Sequence, residues 1–236
     1  DNPNGIKVFI LAGQSNMVGY GHTETGLTGD GGIGTLRYLA VNDSTYSEYN
    51  YASLLSDPSQ PATSAWKTRS DVKVWWRNGA SGNLGGPIGK GNLGPPFRGA
   101  DTTLIGPEYA FGQILGDYYA SDDVLIIKAA WGGHTLAGNF RPPGAVAARG
   151  GAVGASYSEI FQDAREVLDN LGTEFPEWAG RGYQIVGFAW HQGTSDKSPV
   201  ERALEYKHNL PDLVADVRSE FGKPNLPFVI ATTGMS

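Results

Sequence analysis

Apolar and polar residues follow each other in blocks along this chain, and the first block is the most informative. Residues 6–11 are apolar apart from Lys7, and such a run is typical of a buried parallel strand. The run ends near Gly13, which allows a sharp turn, and Ser15 follows where a helix should begin. Because open α/β sheets bind ligands at the carboxyl ends of their strands, the pattern predicts a hydroxyl at a ligand-binding edge.

Ser15 is therefore a candidate nucleophile. Its own backbone N–H, at the start of a helix, is free to donate to a developing oxyanion. An ordinary serine that caps a helix at a strand-to-helix turn has the same sequence pattern, so the pattern leaves both interpretations open.

The same block pattern predicts four more strands and three long helices. Strands are expected at 72–76, 124–129, 184–190 and 226–231, with a short possible strand at 36–41. Helices are expected from Gly106-Pro107-Glu108 to about Tyr119, over 156–171 and over 199–221. Strands separated by helices are typical of right-handed parallel crossovers. The prediction is an α/β fold of three layers, α/β/α, with a parallel five-stranded sheet.

Two glycine-rich and proline-rich stretches, 77–105 and 132–155, separate these elements. They are predicted to be long loops, and the first is expected to shape the rim of a site. The length of 236 residues suits one domain, so 1–236 is predicted to be a single domain.

Composition and charge narrow the function classes. The formal net charge is −6, and no basic stripe is present to serve nucleic acid or an anionic membrane. No apolar run approaches the roughly 20 residues of a membrane helix. Without cysteine, disulfides and thiolate metal sites are excluded, and no metal-binding motif is present, so neither metal nor cofactor is predicted. The polar start at residues 1–4 suits a trimmed mature end, so a secreted or periplasmic protein is expected.

Four blocks of sequence resemble one family. The string Gly13-Gln14-Ser15-Asn16-Met17 after a first apolar strand is similar to the SGNH-hydrolase superfamily. More narrowly, it resembles the branch of sialate O-acetylesterases and carbohydrate esterase family six, which is acetylxylan esterase-like. Three more stretches fit that branch in the same order, at 128–133, 140–143 and 190–196. The resemblance implies a flavodoxin-like strand order, Ser15 as nucleophile and an acetylated carbohydrate as substrate.

The resemblance also implies how the oxyanion is bound. Gly133 is expected to contribute a backbone N–H beside that of Ser15, although a glycine turn that binds no ligand remains the alternative. Ser195 stands where the superfamily has an asparagine that donates to the oxyanion. Gln192 is an alternative amide donor, and Gln14 is assigned to the same oxyanion-binding or substrate-binding group.

Asp196 is the nearest carboxylate of the last block. It is a candidate catalytic residue, or it braces its loop by accepting hydrogen bonds from backbone N–H groups. The carbohydrate esterase branch often has a glutamate where Thr194 stands, and threonine cannot carry the charge of that glutamate.

A catalytic histidine is the open question. The superfamily places a histidine, three residues after an aspartate, in the loop that follows the last strand, and no D-x-x-H occurs here among His22, His134, His191 and His208. One interpretation is that a His-bearing segment belongs beyond Ser236, in which case residues 1–236 alone are inactive. The other is that His134 serves as the base. His191 is expected to be a buried structural histidine.

Two function hypotheses follow. The first is a serine esterase that removes O-acetyl groups from a carbohydrate through an acyl-enzyme on Ser15. The second is a non-catalytic carbohydrate-binding relative, which the missing D-x-x-H favours and the intact GQSNM turn opposes.

Overall fold

The computed structural model describes residues 4–27, 29–42, 50–77, 88–95 and 103–233. Its main sheet has six strands in the order β4-β3-β6-β1-β7-β8, and a separate ribbon pairs β2 with β5. In chain order the strands are β1 Ile6–Gly13, β2 Gly21–His22, β3 Arg69–Arg77, β4 Ile88–Leu93, β5 Leu104–Ile105, β6 Val124–Ala130, β7 Tyr183–His191 and β8 Phe228–Ile230.

Seven α-helices connect these strands within the described ranges. They are α1 Ser15–Val18, α2 Leu36–Asn42, α3 Glu108–Tyr118, α4 Pro143–Arg149, α5 Ala155–Asp169, α6 Leu171–Glu174 and α7 Val200–Glu220. In the same ranges, no helix is both long and apolar enough to cross a bilayer.

The sheet lies between two helical layers. Every residue of β1 and β6 is buried, because helices cover both faces of these central strands. On one face, Phe9 and Ile126 pack in a cluster with Tyr109 of α3. On the other, Ile10 packs in a cluster with Ile160 of α5 and residues of α7. The predicted α/β class, with a largely parallel sheet between helices, is confirmed.

The sheet itself differs from the prediction in two details. A sixth strand, β4, pairs antiparallel with β3 inside the stretch predicted as a loop at 77–105, of which 78–87 and 96–102 lie outside the described residues. The five parallel strands follow the order β3-β6-β1-β7-β8, so the first strand lies between the third and the fourth. A flavodoxin-like order would place it between the second and the third. Strand order depends on the direction in which each connection crosses the sheet, and hydrophobic patterning does not encode that direction.

The short strand predicted at 36–41 is wrong, because this segment forms helix α2. The Thr35 hydroxyl accepts a hydrogen bond from the Tyr38 N–H at 3.2 Å, which is how a threonine caps a helix. The last strand is also shorter than predicted, with residues 228–230 in place of 226–231.

The topology defines one crevice at the carboxyl edge. The chain leaves β1 toward β3, whereas it leaves β7 in the opposite direction toward β8. Open α/β sheets bind their ligands at such a switch point. The residues that follow β1 and β7 are therefore the first place to look for a site.

Candidate active site

Three strands end side by side around Gly13. Gly13 pairs with Ala130 of β6 and with His191 of β7. Two backbone hydrogen bonds extend this contact past the strands, from the Trp131 N–H to the Gly13 carbonyl and from the Gln14 N–H to the His191 carbonyl, each at 3.1 Å. The segments that carry the predicted site residues thus begin at adjacent points.

Ser15 is the first residue of α1 and is partly exposed. Gln14 occupies the N-cap position in an extended conformation, and no side chain caps this helix. The Ser15 hydroxyl has one hydrogen bond within the described ranges, from Gln14 Nε2 at 3.4 Å, which is long and therefore weak. Ser15 is not a capping serine here, and its hydroxyl remains available for chemistry.

The Gln14 side chain links the nucleophile turn to the loop after β7. Gln14 is buried, and its Oε1 accepts hydrogen bonds from the N–H groups of Gly193 at 3.2 Å and Ser195 at 3.0 Å. Its Nε2 donates to the Ser195 hydroxyl at 3.1 Å. Since that amide group also reaches Ser15, one side chain joins both predicted serines. Gln14 thereby sets the distance between the two turns.

Asp196 and Gln192 form the second link, between the loops after β7 and β6. The buried Asp196 carboxylate accepts hydrogen bonds from the N–H groups of Leu136 at 2.8 Å and Ala137 at 2.9 Å. Gln192 Nε2 donates to Asp196 at 2.5 Å and to the His134 carbonyl at 3.0 Å. These contacts match the bracing role considered for Asp196. Gln192 Oε1 is buried and has no hydrogen bond among the described residues.

Replacing Asp196 with asparagine is expected to lower the free energy of unfolding by about 2 kcal/mol or more, because the new amide group would face N–H donors. The kcat should fall together with the stability, since the loop that carries Gly133 loses its hydrogen bonds to the Asp196 carboxylate. Thermal unfolding and ester hydrolysis measure the two effects. The matched control is Asp169→Asn at an exposed position of α5. Loss of kcat at wild-type stability would instead indicate a catalytic carboxylate.

Gly133 lies in the turn that follows β6. It is exposed, its φ is +75°, and no atom lies within 4 Å of the place where a Cβ would stand. Its backbone can therefore be approached closely by a ligand. The positive φ also explains the glycine, because L side chains rarely adopt that conformation.

His134 is partly buried next to this turn. Its Nδ1 lies 2.6 Å from the buried Ser156 hydroxyl, and its ring stacks on Trp131 with 6.1 Å between ring centroids. Phe140 contacts the same ring at 5.9 Å. The Ser156 contact and the two aromatic rings therefore fix the orientation of the His134 imidazole.

The other histidines occupy different environments. His191 ends β7, and burial lowers the pKa of its imidazole, which favours the neutral form at neutral pH. His22 lies in β2, and its buried Nδ1 has no partner among the described residues. His208 is exposed on α7. In the described ranges, no group of three or more acidic, histidine or cysteine side chains could hold a metal ion.

A cavity of about 380 Å³ adjoins the loop after β7. Its walls come from that loop, from α7 and from the residues after β8, including Gln192, Asp196, Tyr206 and Thr233. The cavity lies on the side of the loop that faces β8, next to the residues that Gln14 and Gln192 hold in place.

Comparison with known proteins gives one family match. A family model described as "SASA: Carbohydrate esterase, sialic acid-specific acetylesterase" matches residues 5–235. No curated protein matches the chain.

Several solved structures share the fold. A protein from Arabidopsis thaliana is 16% identical, with 96% of this chain and 73% of that chain covered and a TM-score of 0.53. A structure described as a novel carbohydrate acetylesterase from Xanthomonas citri is 14% identical. The match covers 94% of this chain and 40% of that chain, with a TM-score of 0.52. NanS is 15% identical. The match covers 99% of this chain and 69% of the NanS chain, with a TM-score of 0.51. At these identities the likeness is one of fold.

Proposed function

Because the chain belongs to the family of carbohydrate esterases described as sialic acid-specific acetylesterases, we propose that it is a serine esterase that removes O-acetyl groups from a carbohydrate. The observation that carries this proposal is the Ser15 hydroxyl. It follows the central strand at the topological switch point, it caps no helix, and its one hydrogen bond among the described residues is long. The Xanthomonas citri structure, described as that of a carbohydrate acetylesterase, supports the same reaction class.

The proposed reaction has two stages. Ser15 Oγ gives its proton to the base and attacks the acetyl carbonyl. The bond from the acetyl carbon to the sugar oxygen breaks, the sugar oxygen takes the proton and leaves as a hydroxyl, and an acetyl-enzyme remains. Water then gives a proton to the base and attacks this ester, the bond from the acetyl carbon to Ser15 Oγ breaks, and Ser15 regains its proton as acetate is released. The N–H groups of Ser15 and Gly133 are the proposed donors to the oxyanion, and removal of one such donor typically costs about 3–4 kcal/mol of transition-state stabilisation. Gln14 and Gln192 hold the loops that carry these groups.

The general base has two proposed sources. His134 is the source within the described chain, with Ser156 fixing its Nδ1. The alternative is a base other than His134. The variant His134→Ala tests the first source, because hydrolysis at the wild-type rate is incompatible with His134 taking the proton from Ser15. Equal hydrolysis by the variant and the wild type would exclude His134 as the base.

The experiment measures acetate released from an O-acetylated sialic acid and from acetylated xylan by the full-length protein. Release from either substrate is the expected result, and the faster substrate identifies the glycan. A fluorophosphonate probe should label Ser15. Binding of the glycans without acetate release and without labelling would reject the esterase and favour a carbohydrate-binding relative.

A further inference from the structure

A buried ion pair lies beneath the nucleophile turn. Lys128 comes from β6 and Glu108 from the first turn of α3, and both side chains are 1% exposed or less. Lys128 Nζ lies 2.8 Å from Glu108 Oε2. Charged side chains are almost never fully buried without a partner, and this pair is removed from water on both sides.

Both partners also bind the backbone around α1. Lys128 Nζ donates to the carbonyl of Val18, the last residue of α1, at 2.6 Å. Glu108 Oε1 accepts a hydrogen bond from the Gly106 N–H at 3.1 Å. Gly106 packs directly against Gly19, where an added Cβ would stand 2.4 Å from the Gly106 Cα. The pair therefore holds the end of α1 from two directions.

Helix α1 needs such support because it has four residues, Ser15–Val18. One helical turn gains too few internal hydrogen bonds to offset the entropy of ordering it. Its amino end is tied to the loop after β7 through Gln14, as described above. Its carboxyl end is tied to β6 and α3 through Lys128, whose ammonium also lies 4.5 Å from the Trp76 ring centroid.

A buried ion pair is a poor way to stabilise a core, since apolar residues of similar volume are often as good or better. An ion pair that also bonds to the backbone fixes the position of that backbone, which apolar side chains cannot do. We propose that Lys128 and Glu108 are positioning residues for the Ser15 nucleophile. Through the Val18 carbonyl and the Gly106–Gly19 contact, they hold the Ser15 turn in the geometry for attack. This inference rests on the proposed role of Ser15.

The test separates positioning from stability with a double variant. Lys128→Met alone leaves a buried unpaired carboxylate and should lower the Tm strongly. Lys128→Met with Glu108→Gln removes both charges and should recover most of the Tm. The double variant should still have a kcat reduced by about 10-fold to 100-fold with little change in KM, because a small displacement of a reacting group is enough for such a loss.

The matched control is Arg181→Met with Asp123→Asn. This ion pair precedes β7 and β6, at the edge of the sheet opposite the site, and its removal should leave kcat unchanged. Hydrogen exchange of the Gly19 amide, which is bonded to the Ser15 carbonyl, gives a readout independent of activity. The Gly19 amide should exchange faster in the Lys128/Glu108 double variant and at the wild-type rate in the Arg181/Asp123 control.

A double variant with wild-type Tm, kcat and Gly19 exchange rate would overturn the inference, because the pair would then only occupy space in the core. Failure of the proposed function has a different signature, namely hydrolysis that persists in Ser15→Ala. In that event the Gly19 exchange rate still decides whether the pair holds the turn.

Discussion

Substitution of Ser15 with alanine is expected to lower kcat for acetyl ester hydrolysis by about 10³-fold or more, as loss of a serine nucleophile does in other hydrolases. The partly exposed hydroxyl starts α1 and caps no helix, so its removal should leave the fold intact. The measurement is hydrolysis of para-nitrophenyl acetate and of the acetylated glycan by the full-length protein, with circular dichroism to confirm folding. The fluorophosphonate label should disappear.

The matched control for this prediction is Ser70→Ala, a serine exposed on β3. It should hydrolyse both esters at the wild-type rate. If Ser15→Ala keeps more than about a tenth of the wild-type kcat, Ser15 is not the nucleophile, because a nucleophile knockout leaves far less activity.

Hydrophobic patterning predicted the strands well where they are buried on both faces. In β1 and β6 every residue is buried, so a nearly continuous apolar run was a sufficient signal. The pattern failed at α2 because its seven residues give few helical periods, and the one local signal of a helix there is the capping residue Thr35. It also failed at β4, whose sequence IGKGNL has two glycines and almost no alternation. That strand forms by pairing with β3, a tertiary interaction that local sequence does not encode.

The site was predictable as a meeting of strand ends, but its internal connections were not. Gln14 and Gln192 were expected to face the substrate, whereas their amide nitrogens bind other parts of the protein. These contacts join residues that are far apart in the chain, so no spacing rule reveals them. The Lys128–Glu108 pair had one signal that could have been used, namely a lysine inside an otherwise apolar strand. A charge in such a run requires a buried partner.

Substitution of Gly13 with alanine is expected to lower the free energy of unfolding by about 3 kcal/mol or more. A Cβ on Gly13 would stand 2.2 Å from the carbonyl oxygen of His191, and φ at Gly13 is +156°. The added Cβ clashes with the backbone of the neighbouring strand β7, and the clash is relieved only if β1 and β7 move apart. That movement also displaces Gln14 and Ser15, which should reduce the kcat of the folded fraction by about 10²-fold.

Gly180→Ala is the matched control, because it separates the strain of a positive φ from the steric clash. Gly180 has φ +77° and lies in an exposed turn before β7, with no atom within 4 Å of its added Cβ. The substitution there should cost about 1 kcal/mol of backbone strain and leave kcat unchanged. Denaturant unfolding and ester hydrolysis compare the two variants directly. Equal losses of stability in both variants would mean that β7 can shift at little cost in free energy. In that case the packing of strand ends around Gly13 does not fix the position of Ser15.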